Sequence, residues 1–193
     1  MNLDYEYDYN DFPLAYLITV RTFGTWLHGD KRMSVDRHGK NLYGTPRVAS
    51  SPKMEKQMLK NMNQPHFLLD NKQRECVEKS ITEVCENRGY ELKSVNIRTN
   101  HFHAVVSAAC KPEPVIHAFK SYATRNLREN KLVETNKKLW ARGKSRRYLW
   151  KPRYVSLAIE YVLYGQGDNL ADFDAMIEKV EKGRNPSVNG GAV

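Results

Sequence analysis

The stretch IRTNHFHAVVS, residues 97–107, decides the fold that we predict for this chain. It holds the polar pair Thr99-Asn100, which separates two segments with strand-like patterns, Tyr90 to Arg98 and His101 to Ala108. Two such segments separated by a short polar break are typical of antiparallel strands joined by a tight turn. The stretch therefore predicts a β-hairpin in the middle of the chain.

Helices are predicted on both sides of this hairpin. Asn71 to Arg88 has apolar residues at helical spacing and is followed by Gly89, a residue that suits a helix C-terminus. Lys111 to Asn130 has a similar apolar stripe. The other predicted elements are a buried strand at LAYLITVRT (14–22), a short helix near 53–62, a short strand with a loop in the basic segment 140–154, and a helix at 155–164.

The order strand, helix, strand, strand, helix, strand is that of a ferredoxin-like βαββαβ sheet, so we predict an α+β fold. We expect a single domain over residues 14–165, with a long insertion over 23–70 after the first strand. An acidic extension, 1–13, precedes the domain, and a polar tail, 166–193, follows it. A long irregular insertion in a compact domain is often functional.

Charge and cysteine content limit the classes of protein that this chain can belong to. The 193 residues carry a formal net charge of +9, which favours a polyanionic partner. No apolar run is long enough to cross a bilayer, and the acidic start is unlike a secretory signal, so we expect no membrane association. Three cysteines without a CxxC pair favour free thiols in a reducing, cytoplasmic setting.

The excess of positive charge lies in one segment, residues 111–154, which holds 13 Lys or Arg and three Glu interleaved with aromatic residues. Cations and rings together are what a groove for single-stranded nucleic acid needs, although a solvated basic face is the alternative. The candidate DNA-binding residues are Lys120, Arg125, Arg128, Arg146, Arg147, Trp150, Lys151 and Arg153.

His101 and His103 are candidate metal ligands. Side chains alternate along a strand, so these two point to one face while Phe102 points to the other, toward the core. Two imidazoles on one face can reach a single divalent ion, and such an ion can polarise a phosphate oxygen. A pair of histidines on an ordinary polar sheet face is the alternative for this short motif taken alone.

Tyr122 and Asn126 form the second candidate pair, on the helix predicted after the hairpin. They are four residues apart and therefore lie on one side of that helix, at the border of its apolar stripe. A tyrosine hydroxyl can attack phosphorus and form a covalent intermediate, and the Asn126 amide could reach the same ion. Packing of Tyr122 at the seam between helix and sheet is the alternative.

Four longer segments carry a resemblance to a known family: YLITVRTFGTWLHGD (16–30), IRTNHFHAVVS (97–107), AFKSYATRNLRE (118–129) and YLWKPRYVSLAIEYVLYGQGD (148–168). With them the chain resembles the HUH endonucleases, named for a histidine, a bulky apolar residue and a histidine. Within these it is similar to the single-tyrosine transposases of the IS-two-hundred-like group and to their REP-associated relatives.

The resemblance implies a dimeric, ferredoxin-like enzyme that cuts single-stranded DNA beside a hairpin. The tyrosine forms a 5′-phosphotyrosine link, and Mg²⁺ or Mn²⁺ sits on the two histidines and on a polar residue one turn after the tyrosine. Carried over, it implies that Tyr122 is the nucleophile and that His101, His103 and Asn126 hold the metal. Phosphotyrosine conserves bond energy, so no nucleotide cofactor is expected, and no GxxxxGK[ST] loop is present.

Two other functions remain as alternatives. One is a catalytically silent nucleic-acid-binding protein on the same fold, although an inert descendant would be expected to lose Tyr122 or the histidine pair. The other is a metal hydrolase for small phosphoesters, which would not need a long basic groove. A second cation site in the insertion is disfavoured because its candidates show no fixed ligand spacing. These candidates are His28, Asp30, Asp36 and His38.

Overall fold

The computed structural model describes residues 11–32, 49–165 and 176–177. The helices and strands follow the predicted order. They are β1 (Ala15–Thr22), α1 (Pro52–Lys60), α2 (Asn71–Arg88), β2 (Glu91–Ile97), β3 (His101–Ser107), α3 (Pro112–Glu129), β4 (Trp140–Leu149) and α4 (Pro152–Tyr164).

The four strands form one antiparallel sheet in the order β2-β3-β1-β4. This strand order in a βαββαβ chain is the ferredoxin-like arrangement, so the predicted α+β fold is confirmed. Thr19 in β1 lies opposite His103 of β3 on one side and opposite Ser145 of β4 on the other. Asn96 of β2 also lies opposite His103, which makes one row of side chains across the whole sheet.

One face of the sheet, here called the core face, carries the larger apolar core. Helices α2 and α3 pack against it, and their apolar stripes fill the space above the strands. The core face is defined by Tyr16, Ile18, Val20, Phe102, Ala104 and Val106, all of them fully buried.

The opposite face, here called the histidine face, is defined by Leu17, Thr19, Arg21, His101, His103 and Val105. Helix α4 covers part of it, because Ala158 and Val162 pack against Leu17 and Val105 in a second, smaller core. The last turn of α4 lies beside the histidines. Among the described residues, α2 and α3 therefore cover one side of the sheet, and α4 with Met176 and Ile177 covers part of the other.

Capping interactions at both ends explain why α2 begins and ends where the sequence predicts. Asp70 accepts a hydrogen bond of 2.8 Å from the Gln73 amide, and the Gln73 side chain accepts one from the Asp70 amide. This capping box satisfies two amides that the first helical turn leaves without partners. Gly89 ends the helix in the left-handed conformation, at φ 64°.

Strand β4 is longer than predicted: it spans Trp140–Leu149, whereas the sequence indicated only a short strand with a loop. Its many charged residues argue against a central strand, but β4 lies at the edge of the sheet, where one side is solvated and charge is tolerated. Helix α4 also begins earlier than predicted, at Pro152, because proline fits the first turn of a helix.

The remaining predictions concern the inserted segment 23–70, the cysteines and helices that could span a membrane. The short helix expected in the insertion is present as α1, while residues 33–48 lie outside the described part of the chain. Cys76, Cys85 and Cys110 are free thiols, as predicted. None of the helices in the described ranges combines the length and the apolarity that crossing a bilayer would require.

Candidate active site

His101 and His103 lie side by side on the histidine face, as the alternation of the strand predicts. Their ring centroids are 4.6 Å apart and the rings are nearly perpendicular, at 76°. His103 is buried, and His101, the first residue of β3, is half-buried. Two imidazoles in this arrangement can present nitrogen atoms to one shared ion.

Each histidine is oriented by an oxygen atom at its Nδ1. Asn100 Oδ1 accepts a hydrogen bond of 2.6 Å from Nδ1 of His101, and Thr19 Oγ1 lies 2.8 Å from Nδ1 of His103. Metal-ligating histidines usually hold such an oxygen with one ring nitrogen while the other binds the ion. In both residues Nε2 is then the ring nitrogen that would bind an ion, and imidazole nitrogen is a ligand that divalent metals accept.

The two histidines do not belong to a larger set of strong metal ligands. Within the described residues, no group of three or more His, Cys, Asp or Glu side chains is placed to hold an ion. Residues 96–100, immediately before His101, also contain no carboxylate.

Tyr122 and Asn126, the predicted nucleophile and third ligand, lie on the other side of the sheet. Both belong to α3, which packs on the core face, and Tyr122 is partly buried against that core. The Asn126 amide donates hydrogen bonds of 3.0 Å to Ser80 Oγ and to Glu83 Oε2 of α2. Tyr122 and Asn126 were expected to lie next to the histidines. Within this chain they do not, because the sheet lies between the two pairs.

Tyr161 lies beside His103, where Tyr122 was predicted to lie. It lies in the last turn of α4, and its ring centroid is 5.4 Å from that of His103, edge to face at 75°. Tyr161 was not among the residues predicted from the sequence. The apolar stripe of α4 was the signal that could have pointed to it. An apolar stripe must pack on the sheet, and α2 and α3 leave the histidine face open, so α4 was a candidate to cover that face.

One hydrogen bond to the sheet and one close approach of the backbone constrain the last turn of α4. Asn96 Nδ2 donates a hydrogen bond of 2.9 Å to the carbonyl oxygen of Val162, the residue after Tyr161. Gly165 follows the helix at very close range: a Cβ atom at this position would lie 2.9 Å from the Tyr161 carbonyl oxygen and 3.0 Å from its ring carbon Cδ2. A side chain at position 165 would therefore displace Tyr161.

Arg21 brings positive charge to the same end of the sheet. It lies opposite His101 in the β1–β3 register, so the two side chains are neighbours on the histidine face. Its guanidinium carbon lies 3.3 Å from the centroid of the Trp26 ring, and that of Arg32 lies 4.5 Å from it. Both guanidinium groups thus pack on the Trp26 indole.

Asp30 anchors this stack through Arg32. The carboxylate accepts hydrogen bonds of 2.9 Å and 2.8 Å from the Arg32 amide and Nε, and the bond to Arg32 holds the pKa of Asp30 below its usual range. Asp30 is committed to this pair, which argues against the second cation site considered in the insertion. Asp36 and His38, the other candidates for that site, lie outside the described residues.

The predicted DNA-binding residues do not form a single surface. Lys120, Arg125 and Arg128 line a groove beside α3, on the core-face side of the sheet. Arg146 forms an ion pair of 2.9 Å with Glu113. The others are distributed as follows: Arg147 on the histidine face opposite Leu17, Trp150 stacked on Tyr148, Lys151 at the start of α4, and Arg153 against the Tyr154 ring.

Comparison with solved structures finds distant matches. The structure of a REP-associated tyrosine transposase bound to a REP hairpin covers 80% of this chain and 67% of its own, at 11% identity and a TM-score of 0.45. A candidate transposase from Deinococcus radiodurans covers 90% of this chain and 92% of its own, at 10% identity and a TM-score of 0.38. No curated protein matches the sequence significantly.

The family model of the IS200-like transposases matches residues 52–164. This range includes the histidine pair, the helices on both faces of the sheet and Tyr161, and it is more than half of the 193 residues. The chain therefore belongs to the IS200-like transposase family.

Proposed function

We propose that this transposase is a metal-dependent endonuclease and strand transferase for single-stranded DNA, acting beside DNA hairpins, and that Tyr161 is its nucleophile. The observation that carries the proposal is the contact between the Tyr161 ring and the His103 ring on the histidine face. Tyr161 is the tyrosine that α4 holds next to the two candidate metal ligands. Membership of the IS200-like family supports the reaction class.

The reaction exchanges one phosphodiester for another. The Tyr161 hydroxyl oxygen attacks phosphorus, the bond from phosphorus to the 3′ oxygen breaks, and the chain carries a 5′-phosphotyrosine. The phenol proton passes to solvent or base, and the departing 3′ oxygen takes up a proton to become a free 3′-OH. Attack by another 3′-OH on the phosphotyrosine reverses these steps and joins strands without a nucleotide cofactor.

His101 and His103 would hold Mg²⁺ or Mn²⁺ through their Nε2 atoms. When bound, the ion would polarise a phosphate oxygen and stabilise the charge that develops during attack. Thr19 and Asn100 orient the two rings for this task. Arg21, next to His101, places a fixed positive charge where a phosphate would approach.

The third ligand of the resembled family has no counterpart in this assignment. The polar residue expected one turn after the nucleophile falls, for Tyr161, on Gly165, which has no side chain. Asn126 is bonded to α2 on the opposite side of the sheet. The incomplete ligand set favours the second candidate function, a catalytically silent nucleic-acid-binding protein, and the experiment below separates the two.

The test is a denaturing gel of the protein incubated with end-labelled hairpin DNA and Mn²⁺. We expect a covalent protein–DNA band that disappears in Tyr161→Phe and persists in Tyr122→Phe, its matched control. Loss of the band in Tyr122→Phe alone would return the nucleophile to Tyr122, acting in a partner subunit. Binding of the hairpin without any band in the wild-type protein would favour the silent binding protein.

The resembled family is usually dimeric, and we include a homodimer in the proposal. Sedimentation of the protein with and without hairpin DNA measures the mass of the assembly. A monomer in both samples would remove the dimer, and it would also exclude Tyr122 of a partner subunit as the nucleophile.

A further inference from the structure

The segment that follows β1, residues 22–32, packs at the end of the sheet where β3 begins. Its first residue is fixed to the sheet, because the Thr22 amide donates a hydrogen bond of 2.9 Å to the Asn100 carbonyl oxygen. Its other end is fixed to α1. The Ser51 amide donates a hydrogen bond of 2.9 Å to the Gly29 carbonyl oxygen, and a Cβ atom at Gly29 would lie 2.5 Å from the Ser51 carbonyl oxygen. The segment is thus held at both ends.

Asp30 is a buried carboxylate in this segment, only 7% exposed, and it pairs with Arg32. The hydrogen bond between the two side chains lowers the pKa of Asp30 and raises that of Arg32, so both groups stay charged. Burial of such a pair contributes little stability by itself, and its clearest effect is to hold the planar guanidinium in one orientation. Two chains of contacts lead from this guanidinium toward the candidate active site.

The first chain of contacts runs through an aromatic ring to Arg21. The guanidinium carbon of Arg32 lies 4.5 Å from the centroid of the Trp26 ring, and that of Arg21 lies 3.3 Å from it. Packing on the indole restricts the many rotamers of a long arginine side chain. Arg21 lies opposite His101 in the sheet. Arg32 therefore holds the ring on which the cation next to His101 rests.

The second chain of contacts runs through the backbone to His101. Nη2 of Arg32 donates a hydrogen bond of 2.9 Å to the Thr25 carbonyl oxygen. The Thr25 hydroxyl lies 3.0 Å from the Thr22 carbonyl oxygen and 3.3 Å from that of Asn100, and the Thr22 hydroxyl donates to the Asn100 carbonyl oxygen at 3.1 Å. These contacts hold Asn100, whose side chain orients the ring of His101.

We propose that Asp30 is a positioning residue for this site, acting through Arg32. On one branch it places the charge of Arg21, and on the other it places Asn100 and with it the ring of His101. The inference rests on the proposed function, since it concerns the proposed phosphate contact and the proposed metal ligand. One carboxylate outside the site then controls both.

The main variant is Asp30→Asn, which removes the charge and keeps the size of the side chain. Glu91→Gln is the matched control, because Glu91 forms an ion pair of 2.9 Å at the start of β2, the end of the sheet away from His101. Arg32→Lys is a second variant, which keeps the charge but loses the planar guanidinium. It replaces Asp30→Asn if thermal melting shows that Asp30→Asn is unfolded at the assay temperature.

The first measurement is the single-turnover rate of adduct formation at saturating hairpin DNA and Mn²⁺. We expect Asp30→Asn to lower this rate by about tenfold, because Arg21 loses its fixed position. In the Arg21→Ala background the same substitution should change the rate by no more than about twofold, since the residue through which it acts is already gone. A normal rate in Asp30→Asn, the full loss in the Arg21→Ala background, or the same loss in Glu91→Gln would overturn the inference.

The second measurement is the affinity for Mn²⁺ without DNA, taken from the spectroscopic signal of free Mn²⁺. Asp30→Asn should weaken this affinity by about threefold or more, because Asn100 then orients the ring of His101 less firmly. Glu91→Gln should bind Mn²⁺ like the wild type. A loss confined to the rate or to the metal affinity would overturn the claim that one carboxylate positions both groups.

A third measurement separates this inference from the proposed function. The ring current of Trp26 shifts the side-chain proton resonances of Arg21, and these shifts need neither DNA nor metal. They should move toward the values of an unstacked arginine in Asp30→Asn and stay unchanged in Glu91→Gln. A wild-type protein that forms no adduct would end the proposed function, while the shifts and the Mn²⁺ affinity would still test Asp30. Unchanged shifts in Asp30→Asn would end the inference even if the wild type forms the adduct.

Discussion

The side-chain amide of Asn96 donates a hydrogen bond of 2.9 Å to the carbonyl oxygen of Val162. Asn96 lies opposite His103 in the sheet, and Val162 follows Tyr161 in α4. One hydrogen bond therefore connects the strand beside the candidate metal ligands to the helical turn that carries the proposed nucleophile. The positions of Tyr161 and His103 are coupled through it.

Asn96→Ala should slow formation of the covalent adduct more than it destabilises the fold. Loss of one hydrogen bond costs about 1 kcal/mol of unfolding free energy, but a small shift of Tyr161 can cost far more in rate. Single-turnover gels and thermal melting measure the two effects. Asn130→Ala is the control, since it removes a similar amide-to-carbonyl bond, from Asn130 to Asn126, away from the site. Equal adduct rates in both variants would contradict a positioning role.

Gly165→Ala should reduce the rate of adduct formation by about tenfold or more. The new Cβ would lie 2.9 Å from the Tyr161 carbonyl oxygen, so the end of α4 and the ring of Tyr161 must shift. Gly89→Ala is the matched control. Its Cβ meets nothing within 4 Å, and its φ of 64° costs about 1 kcal/mol of stability without touching the site. A normal adduct rate in Gly165→Ala would show that Tyr161 tolerates displacement.

Thr19→Val should weaken metal binding while preserving the shape of the strand. It removes the oxygen that lies 2.8 Å from His103 Nδ1, and loss of such a partner commonly reduces metal affinity by about 10–100-fold. The measurement is the Mn²⁺ concentration that gives half-maximal adduct, supported by the spectroscopic signal of free Mn²⁺. Thr124→Val, on the other side of the sheet, controls for loss of a hydroxyl. An unchanged Mn²⁺ requirement would argue against His103 as a ligand.

Arg21→Ala should lower the single-turnover rate by about tenfold or more, because it removes the positive charge beside His101. Trp26→Leu should have a smaller effect, since it keeps the charge but removes the ring against which Arg21 packs. DNA affinity, measured in parallel by anisotropy, separates weaker binding from slower chemistry. If both variants cut at the wild-type rate, Arg21 does not act on the phosphate.

Cys85 should make the fold sensitive to alkaline pH. Burial raises the pKa of its thiol from 9.0 to about 11, so the folded state favours the neutral thiol. This stabilisation is complete below pH 9 and is lost as the pH rises toward 11, and it amounts to at most about 3 kcal/mol. Denaturant unfolding at pH 8 and pH 10.5 measures the change, which should be smaller in Cys85→Ala. An equal change in both proteins would assign the sensitivity to other groups.

The hairpin and its two histidines were predictable because they depend on local geometry. Alternation along a strand places His101 and His103 on one face whatever surrounds them, and the structure confirms it. The length of β4 was not predictable in the same way. Its charged residues are tolerated only because the sheet leaves one edge of this strand in solvent.

The choice between Tyr122 and Tyr161 shows the limit of local patterns most directly. Each tyrosine lies on an amphipathic helix, and the spacing to His103 permits either one. Helix α3 packs beside α2 on the core face, whereas α4 packs on the histidine face. Which helix covers which face depends on the path of the chain across the sheet, which residue spacing does not specify.

The sequence by itself determined the order of the helices and strands, the common face of the two histidines, the free thiols and the concentration of positive charge. Each of these follows from composition or from the geometry of a single element. Only the tertiary structure decided that Tyr161 contacts His103, that Asn126 is hydrogen-bonded to α2, and that the basic groove lies on the core-face side of the sheet. The physical reason is that packing between elements distant in sequence depends on the whole core, whereas side-chain periodicity describes one element at a time.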